Sequence, residues 1–106
     1  MEYVKKNIKV KNNLRNIMSI ITYGPFPPSP NKGYVHYDVV TGGQFIYIGG
    51  SGGAANNVLN WKLIGGELSD QPSTIGWGAL QRGARWFNST LGNFYGWNGS
   101  IIVILG

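Results

Sequence analysis

The stretch whose residue types come nearest to nucleophilic chemistry is Gly49-Gly50-Ser51-Gly52-Gly53, which satisfies G-x-S-x-G. In a nucleophile elbow the serine stands on a strained strand-to-helix turn, with its acid and then its histidine later in the chain. Here the only histidine, His36, precedes Ser51, and 106 residues leave no room for the large α/β scaffold that such an elbow needs. The overlapping Gly50-Ser51-Gly52-Gly53-Ala54-Ala55 fits G-x-G-x-x-A, but no apolar helical period follows it and no βαβ sheet can be built around it. A glycine loop joining two strands is the expected reading of both motifs. One histidine, few acids and no cysteine give neither a metal-ligand cluster nor a thiol nucleophile, so no enzyme, cofactor or metal is expected. Asn88-Ser89-Thr90 and Asn98-Gly99-Ser100 match glycosylation sequons and are read instead as turn chemistry.

Cations are unevenly placed. Lys5, Lys6, Lys9, Lys11 and Arg15 face only Glu2, so the first 15 residues hold +4 of the net +5 and the rest of the chain holds +1. A nucleic-acid groove needs a sustained basic field, so Arg82, Arg85 and Trp86 do not point to a nucleic-acid partner. Leu14, Ile17, Met18 and Ile21 follow the helical i, i+3, i+4, i+7 spacing, while Ile8 and Val10 alternate with lysines as in a strand. Residues 1–22 are therefore expected to be a basic anchoring arm that orders on docking. The candidate anchor residues are Lys5, Lys6, Lys9, Lys11, Arg15, Ile17 and Met18. Four prolines among residues 25–30 favour an extended polyproline form, and 23–32 is expected to be a stiff spacer. No apolar run reaches the roughly twenty residues of a membrane-spanning helix, and no membrane partner is expected.

The body, 33–106, repeats itself at an offset of 50 residues, 33–50 against 83–100. Gly33, Gly42 and Gly49 meet Gly83, Gly92 and Gly99; Tyr37, Phe45 and Tyr47 meet Phe87, Tyr95 and Trp97; Asp38 meets Asn88. Each copy predicts a β-hairpin whose turn is opened by Asp38 or Asn88 and completed by a positive-φ Gly42 or Gly92. Leu59, Trp61 and Leu63 alternate with polar or outward residues and predict a further strand stopping at Gly65-Gly66; 70–82 reads as an irregular connection, and 101–105 as a closing apolar strand. The expected fold is all-β, a small β-sandwich or barrel-like body behind an extended arm. About seventy-five residues make a small core, which oligomerisation commonly supplements.

The second copy carries a resemblance. Gln71-Pro72-Ser73, then Gly83-Ala84-Arg85-Trp86-Phe87-Asn88-Ser89-Thr90-Leu91-Gly92 and Trp97-Asn98-Gly99, resembles a segment recurrent in bacteriophage head-fibre and tail-fibre proteins. Phe87, Thr90, Leu91, Gly92, Trp97, Asn98 and Gly99 fall on that pattern; Asn88 stands where Asp is usual, and Asn93-Phe94 where Lys-Pro is customary. The resemblance implies a β-rich virion structural component, commonly a homotrimer, assembled in the host cytoplasm and carried on a capsid or tail. Its implied partners are further copies of itself and the major capsid protein or another virion protein. The alternative is a carbohydrate-binding module for a host-surface glycan. Tyr37, Tyr47, Trp86 and Trp97 are the candidate protomer or glycan contacts.

Overall fold

The computed structural model describes residues 21–106. Six strands, β1 (Val35–Tyr37), β2 (Gly43–Tyr47), β3 (Trp61–Leu68), β4 (Arg85–Asn88), β5 (Asn93–Trp97) and β6 (Ile102–Ile104), form one sheet in chain order. The described residues are all-β, and their only helical turns are short 3-10 turns at Val58–Asn60 and Ala79–Gln81. In place of two packed sheets or a closed barrel, the strands of the described residues build a single open sheet with β1 and β6 as its edges. The physical reason is that loops, not a second sheet, cover its apolar face.

The sheet consists of two antiparallel meanders, β1-β2-β3 and β4-β5-β6, joined by a short parallel seam that sets Glu67 and Leu68 beside Phe87 and Asn88. A parallel neighbour requires a crossover of a dozen residues or more, which 69–84 supplies. The repeat holds residue for residue in the two hairpins. Val35, His36 and Tyr37 face Ile46, Phe45 and Gln44, as Arg85, Trp86 and Phe87 face Gly96, Tyr95 and Phe94. Loop bonds repeat too: Gly33 N–H donates to Tyr47 O and Gly83 N–H to Trp97 O, both at 2.9 Å. Likewise Tyr34 N–H donates to Asn31 O and Ala84 N–H to Gln81 O, at 3.0 and 2.9 Å. Gly42 and Gly92 take φ of +91° and +77°, the left-handed geometry assigned to them from the sequence.

The third strand of the first meander does not stop at Gly65-Gly66. Phe45 pairs with Leu63 but Gln44 pairs with Gly65, so Ile64 is bulged out and the strand bends through the glycines to reach β4. Gly66, at φ +88°, lies against the Gly42 carbonyl and the Gly43 backbone, where a Cβ would collide. The glycine pair thus permits a close backbone crossing and does not end the strand.

The core lies on one face: Phe45, Trp61, Leu63, Leu68, Ala84, Trp86, Tyr95 and Trp97. Each meander is roofed by an aromatic from the segment that leads into it. Phe26 packs on Phe45 and Trp61 with centroids 5.0 and 5.2 Å away, and Trp77 stands edge-on to Trp97 and Trp86 at 5.5 and 6.1 Å. This corrects the expected spacer at 23–32. Proline does fix the segment as extended, but Tyr23 and Phe26 bury against the core and the Gly24 N–H bonds Asp38 Oδ1 at 2.8 Å, so the segment is part of the body.

Candidate interaction surfaces

The turn residues Asp38 and Asn88 hold equivalent places, each 1% exposed, and solve the same problem with different chemistry. Asn88 Oδ1 accepts from Thr90 N–H at 3.0 Å and Leu91 N–H at 2.9 Å, while its Nδ2 donates to Gln71 Oε1 at 3.0 Å. Gln71 Oε1 also accepts from the Trp86 indole at 2.8 Å. An amide is required at Asn88 because one of its ends faces a carbonyl. At Asp38 both ends meet donors: Oδ1 accepts from Gly24 N–H and from Val40 N–H at 3.4 Å, and Oδ2 accepts from the Thr41 hydroxyl at 2.6 Å. A carboxylate suits that site. Beside it, burial first and the Asp38 charge second push the Tyr23 phenol up to about 12.

The glycine loop is an ordered turn. Ser51 Oγ donates to Leu59 O at 2.8 Å, and Gly49, Gly50, Gly52 and Gly53 all have positive φ. Buried Asn60 organises it, accepting from Ser51 N–H at 2.8 Å and donating to Gly52 O and Ala54 O at 2.9 and 3.1 Å. Such a loop has none of the strand-to-helix geometry of an elbow. His36 packs against both Phe26 and Trp61, its Nε2 buried without a hydrogen-bond partner among the described residues. Among the described residues no group of three His, Cys, Asp or Glu is placed to hold a metal, and no helix is long and apolar enough to cross a membrane. Both sequon asparagines act in turns: Asn98 Oδ1 accepts from Ser100 and Ile101 N–H at 2.9 and 3.0 Å, as Asn88 does one hairpin earlier.

Of the four candidate contact residues the structure leaves Tyr37 exposed, half-buries Tyr47 against Trp61 at 5.2 Å, and buries the other two. Trp86 and Trp97 are 1% and 7% exposed, with their indole N–H groups committed to Gln71 Oε1 and Gly78 O. Neither ring offers a face to a glycan or a second protomer. They are corrected to core residues, the outcome of an alternation that turns every second side chain of β4 and β5 inward. The carbohydrate alternative thereby loses two of its platforms. Lys5, Lys6, Lys9, Lys11, Arg15, Ile17 and Met18 lie outside the described residues.

What the body presents outward mixes exposed apolar side chains with a few charges, Lys62, Glu67 and Arg85 among them. The sheet face opposite the core carries Val35, Tyr37, Phe94 and Leu105, each more than half exposed, and the edge and turn residues Val39, Val40, Ile101 and Ile104 are 60–80% exposed. Edge strands are commonly guarded by Lys, Pro or an inward charge. Neither Val35–Tyr37 nor Ile102–Ile104 has any of these. Sequence reasoning passed over these edges, although the signal was present in the charge-free runs 34–37 and 101–105. It also missed Tyr23, Phe26 and Trp77, because Phe26 and Trp77 are 51 residues apart and fall outside an ungapped comparison at 50. No family model, curated protein or solved structure matches the chain.

Proposed function

We propose that the chain is a structural component of a bacteriophage virion, a capsid-attached head-fibre or decoration protein or a tail-associated one, that assembles as a homotrimer and is anchored by residues 1–22. The observation that carries this reading is the aromatic hairpin used twice in the same register, in a body whose edge strands among the described residues carry no charged side chain. Exposed apolar edge strands of this kind are a ready surface for pairing with other chains. The motif in the second hairpin supplies the virion context by resemblance, and the segregated basic arm supplies a means of attachment to an acidic protein surface. Deleting residues 1–20 is expected to leave a folded body that no longer joins particles during infection. Particles that incorporate the truncated protein at the wild-type level would overturn the anchoring role, and purified particles lacking the full-length protein would overturn the virion assignment.

A further inference from the structure

We propose that the corner of the sheet where β4 begins and β5 ends binds an organic anion of monosaccharide size, whose carboxylate or phosphate group lies between Arg82 and Arg85. The virion reading neither requires this site nor supplies it.

The argument starts from a difference between the two hairpins. Where the first pairs Val35 with Ile46, the second pairs Arg85 with Gly96. Trp86 and Asn88 are buried on one side of β4, so alternation turns Arg85 to the opposite face. Gly96 sets no side chain beside it. A Cβ at Gly96 would stand 3.0 Å from Leu105 Cδ1 and 3.3 Å from Ala84 O, so the glycine lets Leu105 lie close across β5. An open cavity of about 440 Å³ follows, of a size that small-molecule sites have. Its lining combines Arg82 and Arg85, both exposed, with the apolar Ala84, Val103 and Leu105.

Three of the four cations of residues 21–106 gather at this corner. Lys62 Nζ donates to Arg82 O at 3.3 Å. The Arg82 guanidinium rests against the Asn98-Gly99 turn, its Nε and Nη2 lying 3.1 and 3.2 Å from where a Gly99 Cβ would stand. The acidic side chains are engaged elsewhere. Asp38 accepts from Gly24, Val40 and Thr41, and Asp70 Oδ1 accepts from Gln71 N–H at 2.8 Å. Glu67 lines a different cavity with Tyr37, Thr41 and Ser89. The remaining acid of the sequence, Glu2, lies outside the described residues and can neutralise only one of the three cations. The corner therefore keeps a positive charge that another molecule has to match. Paired guanidinium groups suit planar, bidentate recognition of a carboxylate or phosphate. The apolar lining selects an anion with an organic body over an inorganic one, and a nucleic-acid strand would need a longer basic field.

An amide-resolved NMR titration of the full-length protein tests this with sodium glucuronate, glucose 6-phosphate, glucose and inorganic phosphate as probes. A sugar anion is expected to shift the Gly83, Ala84 and Gly96 amides saturably and glucose to leave them in place. Inorganic phosphate is expected to bind about tenfold more weakly, because it leaves the apolar lining unused. Saturation by either sugar anion supports the site, and the tighter of the two names its anionic group. Arg82→Gln and Arg85→Gln should each weaken that anion about tenfold, with the other amides unmoved as the sign of an intact fold. Lys32→Gln removes the fourth cation and should leave affinity unchanged. Raising the NaCl concentration should weaken binding to wild type, independently of how the variants fold. Shifts confined to the amides of residues 1–20, or no saturable shift with either sugar anion, overturn the proposal. So does an affinity unchanged in both glutamine variants, or inorganic phosphate binding as tightly as the sugar anions.

Discussion

The two meanders share a backbone and differ in how they are finished. In the first, thirteen residues link β2 to β3 and fold around Asn60; in the second, the short turn 98–101 links β5 to β6 with Asn98 as its acceptor. Asp38 accepts three bonds where Asn88 accepts two and donates one. Val39-Val40 stands open where Ser89-Thr90 seals a seam. The lesson is that strand register is set by the alternation of aromatic side chains and by the turn glycine, while the polar groups are fitted afterwards to whatever faces them. A difference between the halves therefore marks a difference in neighbours, and among the described residues the largest such difference is that β4 has a strand on its outer side and β1 does not.

The comparison can be broken most severely at the roofs. Phe26→Ala and Trp77→Ala should each cost about 3–4 kcal/mol, as for other large aromatic truncations in a core. Urea unfolding monitored by fluorescence would show it. A Phe26→Ala midpoint equal to wild type would return 23–32 to the status of a spacer.

Exchanging the turn residues comes next. Asn88→Asp places a carboxylate oxygen against Gln71 Oε1, or makes Gln71 turn its amide and abandon the Trp86 indole; the expected loss is about 2–3 kcal/mol. Asp38→Asn meets only donors and a hydroxyl that can rotate, so about 1 kcal/mol is expected. Equal losses from the two exchanges would show that the polar fitting is not local.

Tyr23 gives the first meander an alkaline weakness. Its phenol ionises at the usual 10.0 in the unfolded chain and near 12 in the folded one, so the unfolded state releases its proton first as pH rises. Its stabilising effect is fully present below pH 10 and is lost between pH 10 and about 12, a change on the order of 2 kcal/mol. Tyr23→Phe keeps the ring on Phe45 and should flatten the stability profile relative to wild type over that interval. Parallel profiles would contradict the assignment.

The smallest expected effect is at the seam. Ser89→Val and Thr90→Val copy the open edge into the sealed one and should cost about 1 kcal/mol each through the lost hydroxyl bonds. A gain in stability for either would mean that the hydroxyls serve solubility and not the seam.

How far the sequence reveals this molecule follows the same division. Asp38 and Asn88, Gly42 and Gly92, and the aromatic alternation Phe45-Tyr47 and Tyr95-Trp97 are local signals, and the hairpins they predict are present, in a register common to both. The third strands are legible separately, but not as equivalents, since Tyr47 and Trp61 lie farther apart than Trp97 and Ile102 and no single offset relates them. The passage of β3 through Gly65-Gly66 depends on the backbone of Gly42 and Gly43, a long-range contact without a sequence signature. Trp86 and Trp97 look like binding platforms in a linear reading because exposure is decided by Trp77, which arrives from outside the repeat. The open edges follow only from the strand order, which places β1 and β6 last.

The central claim is that the two hairpins are one unit used twice in the same register. Amide hydrogen exchange on the full-length protein tests it residue by residue. The account expects the N–H groups of Gly33 and Tyr47, which donate to Tyr47 O and Tyr34 O, to be protected to a degree similar to those of Gly83 and Trp97, which donate to Trp97 O and Ala84 O. Exchange of Gly33 and Tyr47 at the rate of free peptide, in a protein whose Gly83 and Trp97 amides are protected, would contradict it.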